Sequence, residues 1–157
     1  MKKKIYVFLF VVFFSCSKEP VNYHDFKQNT WGSDESVSFE FYFENDTGSY
    51  NLELAIRHQT TFSYQNLILF AHHYFENKKL STDTFNIELA SNSGRWYGKG
   101  KSDIREFVAE NYTAPKTYSK GTYNVELELA MRNSNNLEIK ELEGIIGISL
   151  YLSEKNE

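Results

Sequence analysis

Cysteine is almost missing from this chain: Cys16 is the only one among 157 residues. That excludes an internal disulfide framework and any zinc site built from several thiolates. No segment repeats and none is of low complexity. A basic excess is missing too. Lys and Arg total 17 against 21 Asp and Glu, for a formal charge of −4. Three of the lysines are residues 2–4, so without its first fifteen residues the chain carries 14 basic against 21 acidic groups, a charge of −7. An acidic body argues against nucleic acid as a partner, because phosphates need a basic face. Catalytic signatures are absent as well. There is no H-E-x-x-H zinc motif and no G-x-S-x-G nucleophile elbow. The adjacent His72 and His73 point to opposite faces of a strand and cannot chelate one ion together. Glu126 and Glu128, two apart, read as the solvent face of a strand and not as carboxylates across a cleft. The reading is of a protein that is not an enzyme and uses neither metal nor cofactor.

The longest uncharged apolar run, residues 5–14, has ten residues. At 1.5 Å per residue it falls well short of the ~30 Å of hydrocarbon that a transmembrane helix must cross. With Lys2, Lys3 and Lys4 before it and Ser15-Cys16 after it, the run has the layout of a secretory signal peptide. Cys16 sits directly after the apolar run and a small residue, where bacterial lipoproteins are cleaved and lipidated. Phe13-Phe14-Ser15-Cys16 resembles a lipobox, with Phe13 where Leu is usual. The alternative is a plain signal peptide with an incidental cysteine. Ser17-Lys18-Glu19-Pro20 is either a polar tether or a short charged sorting signal similar to those of surface lipoproteins of the Bacteroidota.

The rest is globular in composition, 41% hydrophobic, 17% aromatic and 24% charged, and of a length for one domain. Residues 21–35 show little periodicity and read as a tether, with Trp31 packing down as a plug. Period-two alternation then begins, with Val37, Phe39, Phe41 and Phe43 on one face. Tyr50, Leu52, Leu54 and Ile56 form a second such face. Residues 67–74 are apolar with mixed faces, as in a central strand. Residues 82–89, 121–129 and 142–152 supply three more strands, and Gly144 and Gly147 in the last suggest a bulge or close backbone approach. Residues 102–109 are the best helix candidate, with Ser102 as its cap. The pattern predicts an all-β antiparallel sandwich, jelly-roll or immunoglobulin-like, with at most one short helix. Its organisation is a signal peptide at 1–15, a lipidated cysteine and tether at 16–35, and the β-sandwich at 36–155.

Two clusters are candidate contact sites. Gly94-Arg95-Trp96-Tyr97-Gly98-Lys99-Gly100-Lys101 is a loop around two large aromatics, with glycines permitting tight backbone turns. Its glycine spacing is not a dinucleotide fingerprint. Either Trp96 and Tyr97 stack on a sugar ring or partner chain, with Arg95 as a polar clamp, or Trp96 closes one end of the core. Arg57-His58, followed by Thr60, Thr61, Phe62, Ser63 and Tyr64, is either a connecting loop or an interaction rim.

Three stretches in this order resemble the gliding motility lipoprotein GldH family of the Bacteroidota. They are Tyr50-Asn51-Leu52 through Arg57-His58 to Asn66-Leu67-Ile68-Leu69-Phe70; Gly94 to Gly100 with Asp103-Ile104; and Ala130-Met131-Arg132 leading to Gly144-Ile145-Ile146-Gly147-Ile148. Asn133-Ser134-Asn135-Asn136 departs from the more acidic, proline-containing turn expected there. The resemblance implies a non-enzymatic envelope lipoprotein, an accessory of the gliding machinery coupled to type IX secretion, anchored in the outer membrane through Cys16 and facing either the periplasm or the surface. Arg57, His58, Arg95, Trp96, Gly98, Gly100 and Arg132 match the family pattern, as structural or partner-binding positions. Other gliding or type IX secretion proteins are the implied partners; a surface carbohydrate-binding module is the alternative. Replacing Cys16 with Ala is expected to abolish membrane attachment and leave the domain folded. Fractionation checks this, and recovery of a processed Cys16→Ala form with the membrane would contradict the anchor.

Overall fold

The computed structural model describes residues 22–46, 49–109, 116–135 and 137–154. The expected signal peptide and Cys16 lie outside the described residues. The strands are β1 (Asn22–Asp25), β2 (Thr30–Gly32), β3 (Val37–Phe43), β4 (Ser49–Gln59), β5 (Asn66–Phe75), β6 (Lys78–Glu88), β7 (Ile104–Ala109), β8 (Lys116–Thr117), β9 (Gly121–Leu129), β10 (Glu141–Glu143) and β11 (Ile145–Glu154). One 3-10 turn, Lys27–Asn29, joins β1 to β2.

Two antiparallel sheets form the sandwich. The first runs β1-β11-β4-β7, with β8 also on β4, and the second runs β3-β9-β5-β6. Strand alternation fixes what lies between them. Leu52, Leu54 and Ile56 of β4 and Ile148 and Leu150 of β11 face Leu67 and Leu69 of β5 and Leu127 of β9, all buried. Burying each such side chain contributes roughly 1.5–3 kcal/mol. The alternation read in residues 37–43, 82–89 and 121–129 is present in β3, β6 and β9. β5 is central, between β9 and β6, but buried on one face only; Phe70 on its outer face is 37% exposed.

Three expectations are corrected. Residues 102–109 are not helical. Ser102 has φ of 56°, a left-handed conformation and not the extended one of an N-cap, and Ile104–Ala109 pairs with β4 residue by residue. Residues 22–35 are not only tether: β1 pairs with β11, and β2 pairs with β10. The strand expected at 142–152 is two strands broken at Gly144, which has φ of 90°. The anticipated bulge is present as a register shift between Ile145 and Gly147. It puts Ile145, Ile148 and Leu150 in the core and leaves Ile146 half-buried. Gly147 also allows close approach, since a Cβ there would lie 2.7 Å from the His24 carbonyl oxygen.

Trp31 is the expected plug. It is fully buried, its ring stacks on Phe26 at 4.5 Å, and its indole N–H donates to the Glu35 carbonyl at 2.8 Å. Trp31→Ala is expected to lower stability by about 3–5 kcal/mol, as for other buried large aromatics. Chemical denaturation measures this, and an unchanged midpoint would contradict the plug.

Candidate functional site

The last residues of β4 face opposite ways because strand side chains alternate. Arg57, paired with Glu106, points to solvent; His58, paired with Arg105, points inward and is fully buried. His58 Nδ1 lies 2.9 Å from the Gln59 carbonyl oxygen, which can only accept, so Nδ1–H donates. The imidazole sits between Trp96, at 4.6 Å between ring centres, and Phe62, at 5.8 Å. Its Nε2 is buried without a hydrogen-bond partner among the described residues. Burial pushes the His58 pKa below its ordinary 6.5; the Gln59 carbonyl opposes this, and the nearby Arg105 charge adds to it.

Trp96 reaches His58 because its loop lies along the free edge of β7. The Lys99 N–H donates to the Glu106 carbonyl at 2.9 Å, and the Glu106 N–H donates back at 2.8 Å. A Cβ on Gly98 would lie 2.8 Å from the Glu106 carbonyl oxygen, and one on Gly100 would lie 2.1 Å from that of Ile104. Only glycine permits this approach. Upstream, the turn closes where the Ser91 N–H donates to the Arg95 carbonyl and the Tyr97 N–H donates to that of Leu89.

The same loop builds an outer surface. Arg57, Lys99, Gly100, Lys101, Ile104 and Glu106 line a shallow groove of about 560 Å³. Three cations and one carboxylate thus gather on a chain whose overall charge is −4. The expected contact residues therefore divide. His58 and Trp96 meet inside, Trp96 half-buried against the core as its closing ring. Arg57 lies outside in the groove. Tyr97 is 46% exposed, with its ring 6.4 Å from Phe107. It shares no stacking surface with the inward-packed Trp96. Arg95 is exposed in the 91–95 turn and does not line the groove. Lys99 and Lys101 belong to the expected loop without a role assigned to them there, and Glu106 was not anticipated. The G-K-G-K alternation marked the two lysines, whereas Glu106 was hidden by the helical reading of its segment. No three His, Cys, Asp or Glu side chains among the described residues converge as a metal site. His72 instead reaches Glu128 and His73 reaches Asp83, each at 3.1 Å.

The family model described as GldH lipoprotein matches residues 20–150. The chain belongs to the GldH lipoprotein family. It is 29% identical over 154 residues to the gliding motility lipoprotein GldH homolog of Christiangramia forsetii, covering 97% of this chain and 94% of that one. It is 27% identical over 149 residues to the gliding motility lipoprotein GldH of Flavobacterium johnsoniae, covering 93% and 92%. Among solved structures, a family 35 carbohydrate binding module from an environmental isolate aligns over 82% of this chain and 74% of its own, with 12% identity and a TM-score of 0.35. That likeness is too loose to carry an argument about ligands.

In this GldH family member the buried imidazole makes stability depend on pH. The folded His58 pKa is lowered, so the unfolded chain binds a proton there first as pH falls. The His58 contribution is fully present above about 6.5 and declines as pH drops through that value toward the folded pKa. The denaturation midpoint is expected to fall between about pH 7.5 and about pH 5.5, and His58→Gln is expected to make that fall shallower. Equal slopes in the two proteins would place the proton uptake elsewhere.

Proposed function

We propose that this chain is a lipid-anchored, non-enzymatic accessory component of the bacterial gliding machinery that works through protein contacts. The observation that carries the reading is the GldH match over residues 20–150, directly behind an apolar leader and Cys16. The two relatives described above are named gliding motility lipoproteins, and they align over nearly their whole length. In this reading Cys16 is acylated and holds the chain in the outer membrane. One chain of lipid alone binds only marginally, so two or more provide stable attachment.

His58 supports a contact role over a catalytic one. It is walled in by Trp96 and Phe62, and its work is to seat Trp96. The groove of Arg57, Lys99 and Lys101 is open and shallow, suited to an acidic segment of another envelope protein. Arg57 supplies a planar fork for a carboxylate, and the lysines supply mobile charges around it. Tyr97, exposed in the same loop, adds an amphipathic ring.

Affinity capture from native envelopes tests this, with Cys16→Ala as the unanchored control. The wild-type chain is expected to recover gliding or type IX secretion proteins. The combined Arg57→Ala, Lys99→Ala and Lys101→Ala variant is expected to lose them while keeping its fold, since these side chains lie on the surface. Retention of envelope polysaccharide without any protein would instead favour a surface glycan-binding module.

A further inference from the structure

We infer that the domain stands on the bilayer on the end of the sandwich opposite His58, with the phospholipid headgroup layer as the partner of the aromatic surface there. This rests on the lipid-anchored reading above and adds an orientation to it.

Chain length and direction come first. Cys16 is six residues before Asn22, the first residue of β1, so the link between them reaches at most about 20 Å. Asn22 lies opposite Leu150 of β11 and Asp25 opposite Gly147, so β1 runs toward the His58 end. Read backward from Asp25 to Asn22, β1 therefore points to the other end. That end is reached four residues farther along β11, at Glu154, about 13 Å away at ~3.3 Å per residue. To bring the lipid to the His58 end, the link would have to double back along β1 and clear the loop after Gln59.

The surface at the near end suits a membrane interface. Phe43 stacks on Tyr118 at 4.7 Å, Tyr123 meets Tyr118 edge-on at 4.8 Å, and Phe75 lies 4.7 Å from Tyr123. All four rings are only partly buried. Tyr42 and Leu80, on the strands beside them, are 62% and 57% exposed. Lys78 and Lys120 are exposed on the same rim. Glu44, Asp46 and Glu76 are exposed there too, with Asp46 accepting the Lys120 N–H and Glu76 the Thr122 N–H, and Glu154 ends β11 at the same end. Tyrosines with apolar bodies and polar tips, beside lysines that meet phosphates, make an interfacial composition. The opposite end, with Trp96 and the Arg57 groove, is thereby turned away from the membrane.

The test uses the lipidated full chain in phospholipid vesicles. Acylation consumes Cys16, so an introduced cysteine is the one free thiol for a fluorescent label. Ser119→Cys places the label at the near end and Ser63→Cys at the far end, both on exposed residues. With nitroxide lipids in the headgroup region, the Ser119→Cys label is expected to lose most of its emission and the Ser63→Cys label to keep it. Adding Tyr42→Ser and Leu80→Ser to Ser119→Cys is expected to weaken the quenching while the protein still floats with the vesicles. Equal or reversed quenching, or quenching indifferent to the two serines, overturns the orientation. A chain that does not float at all overturns the anchor itself, and the orientation with it.

Discussion

A pair of backbone hydrogen bonds ties Lys99 to Glu106 along the outer edge of β7, and the loop that carries Trp96 and the two groove lysines is fixed there. An exposed sheet edge presents unpaired N–H and C=O groups and invites pairing with another chain. Here residues 97–101 occupy part of that edge. They come so close that neither Gly98 nor Gly100 has room for a Cβ. One placement then has two results on opposite faces of the sheet. Trp96 is delivered inward onto His58, and Lys99 and Lys101 are delivered outward beside Arg57.

The two ends of the sandwich differ in kind. At one, a buried imidazole whose Nε2 has no hydrogen-bond partner among the described residues is held between aromatic rings, and a cationic groove lies just outside it. At the other, rings are layered at the surface with lysines on the rim. Between them, the outer face of the second sheet is a polar network. The Ser36 hydroxyl, 2.7 Å from Glu126, holds that carboxyl below the usual carboxylate range, with Tyr74 donating to its other oxygen. Two unlike ends would let a tethered chain rest on one and present the other, in keeping with the contact role proposed above.

Much of the fold was legible because period-two alternation is a direct imprint of two-layer burial. Val37 through Phe43 and Gly121 through Leu129 carry it without interruption, and both are strands as read. The segment from Ser102 to Ala109 was ambiguous for a physical reason. Ile104, Phe107 and Val108 satisfy a helical spacing locally, and only pairing with the end of β4 decides for a strand. Residues 22–35 looked unstructured because β1 and β2 are too short to show a period, and each is stabilised by a partner more than a hundred residues away. In the site, His58 and Trp96 were visible as residues, but their meeting was not. Nor was the company of Arg57, since the β4–β7 register that brings Glu106, Lys99 and Lys101 beside it is a long-range fact.

The backbone contact on β7 organises the site. Amide hydrogen exchange of the wild-type chain and of Gly100→Ala tests it most directly. The added Cβ is expected to break the contact, so that the amides of Lys99 and Glu106 exchange faster in the variant and Trp96 emission shifts toward that of a solvated indole. Unchanged protection at both amides, with unchanged emission, would contradict it.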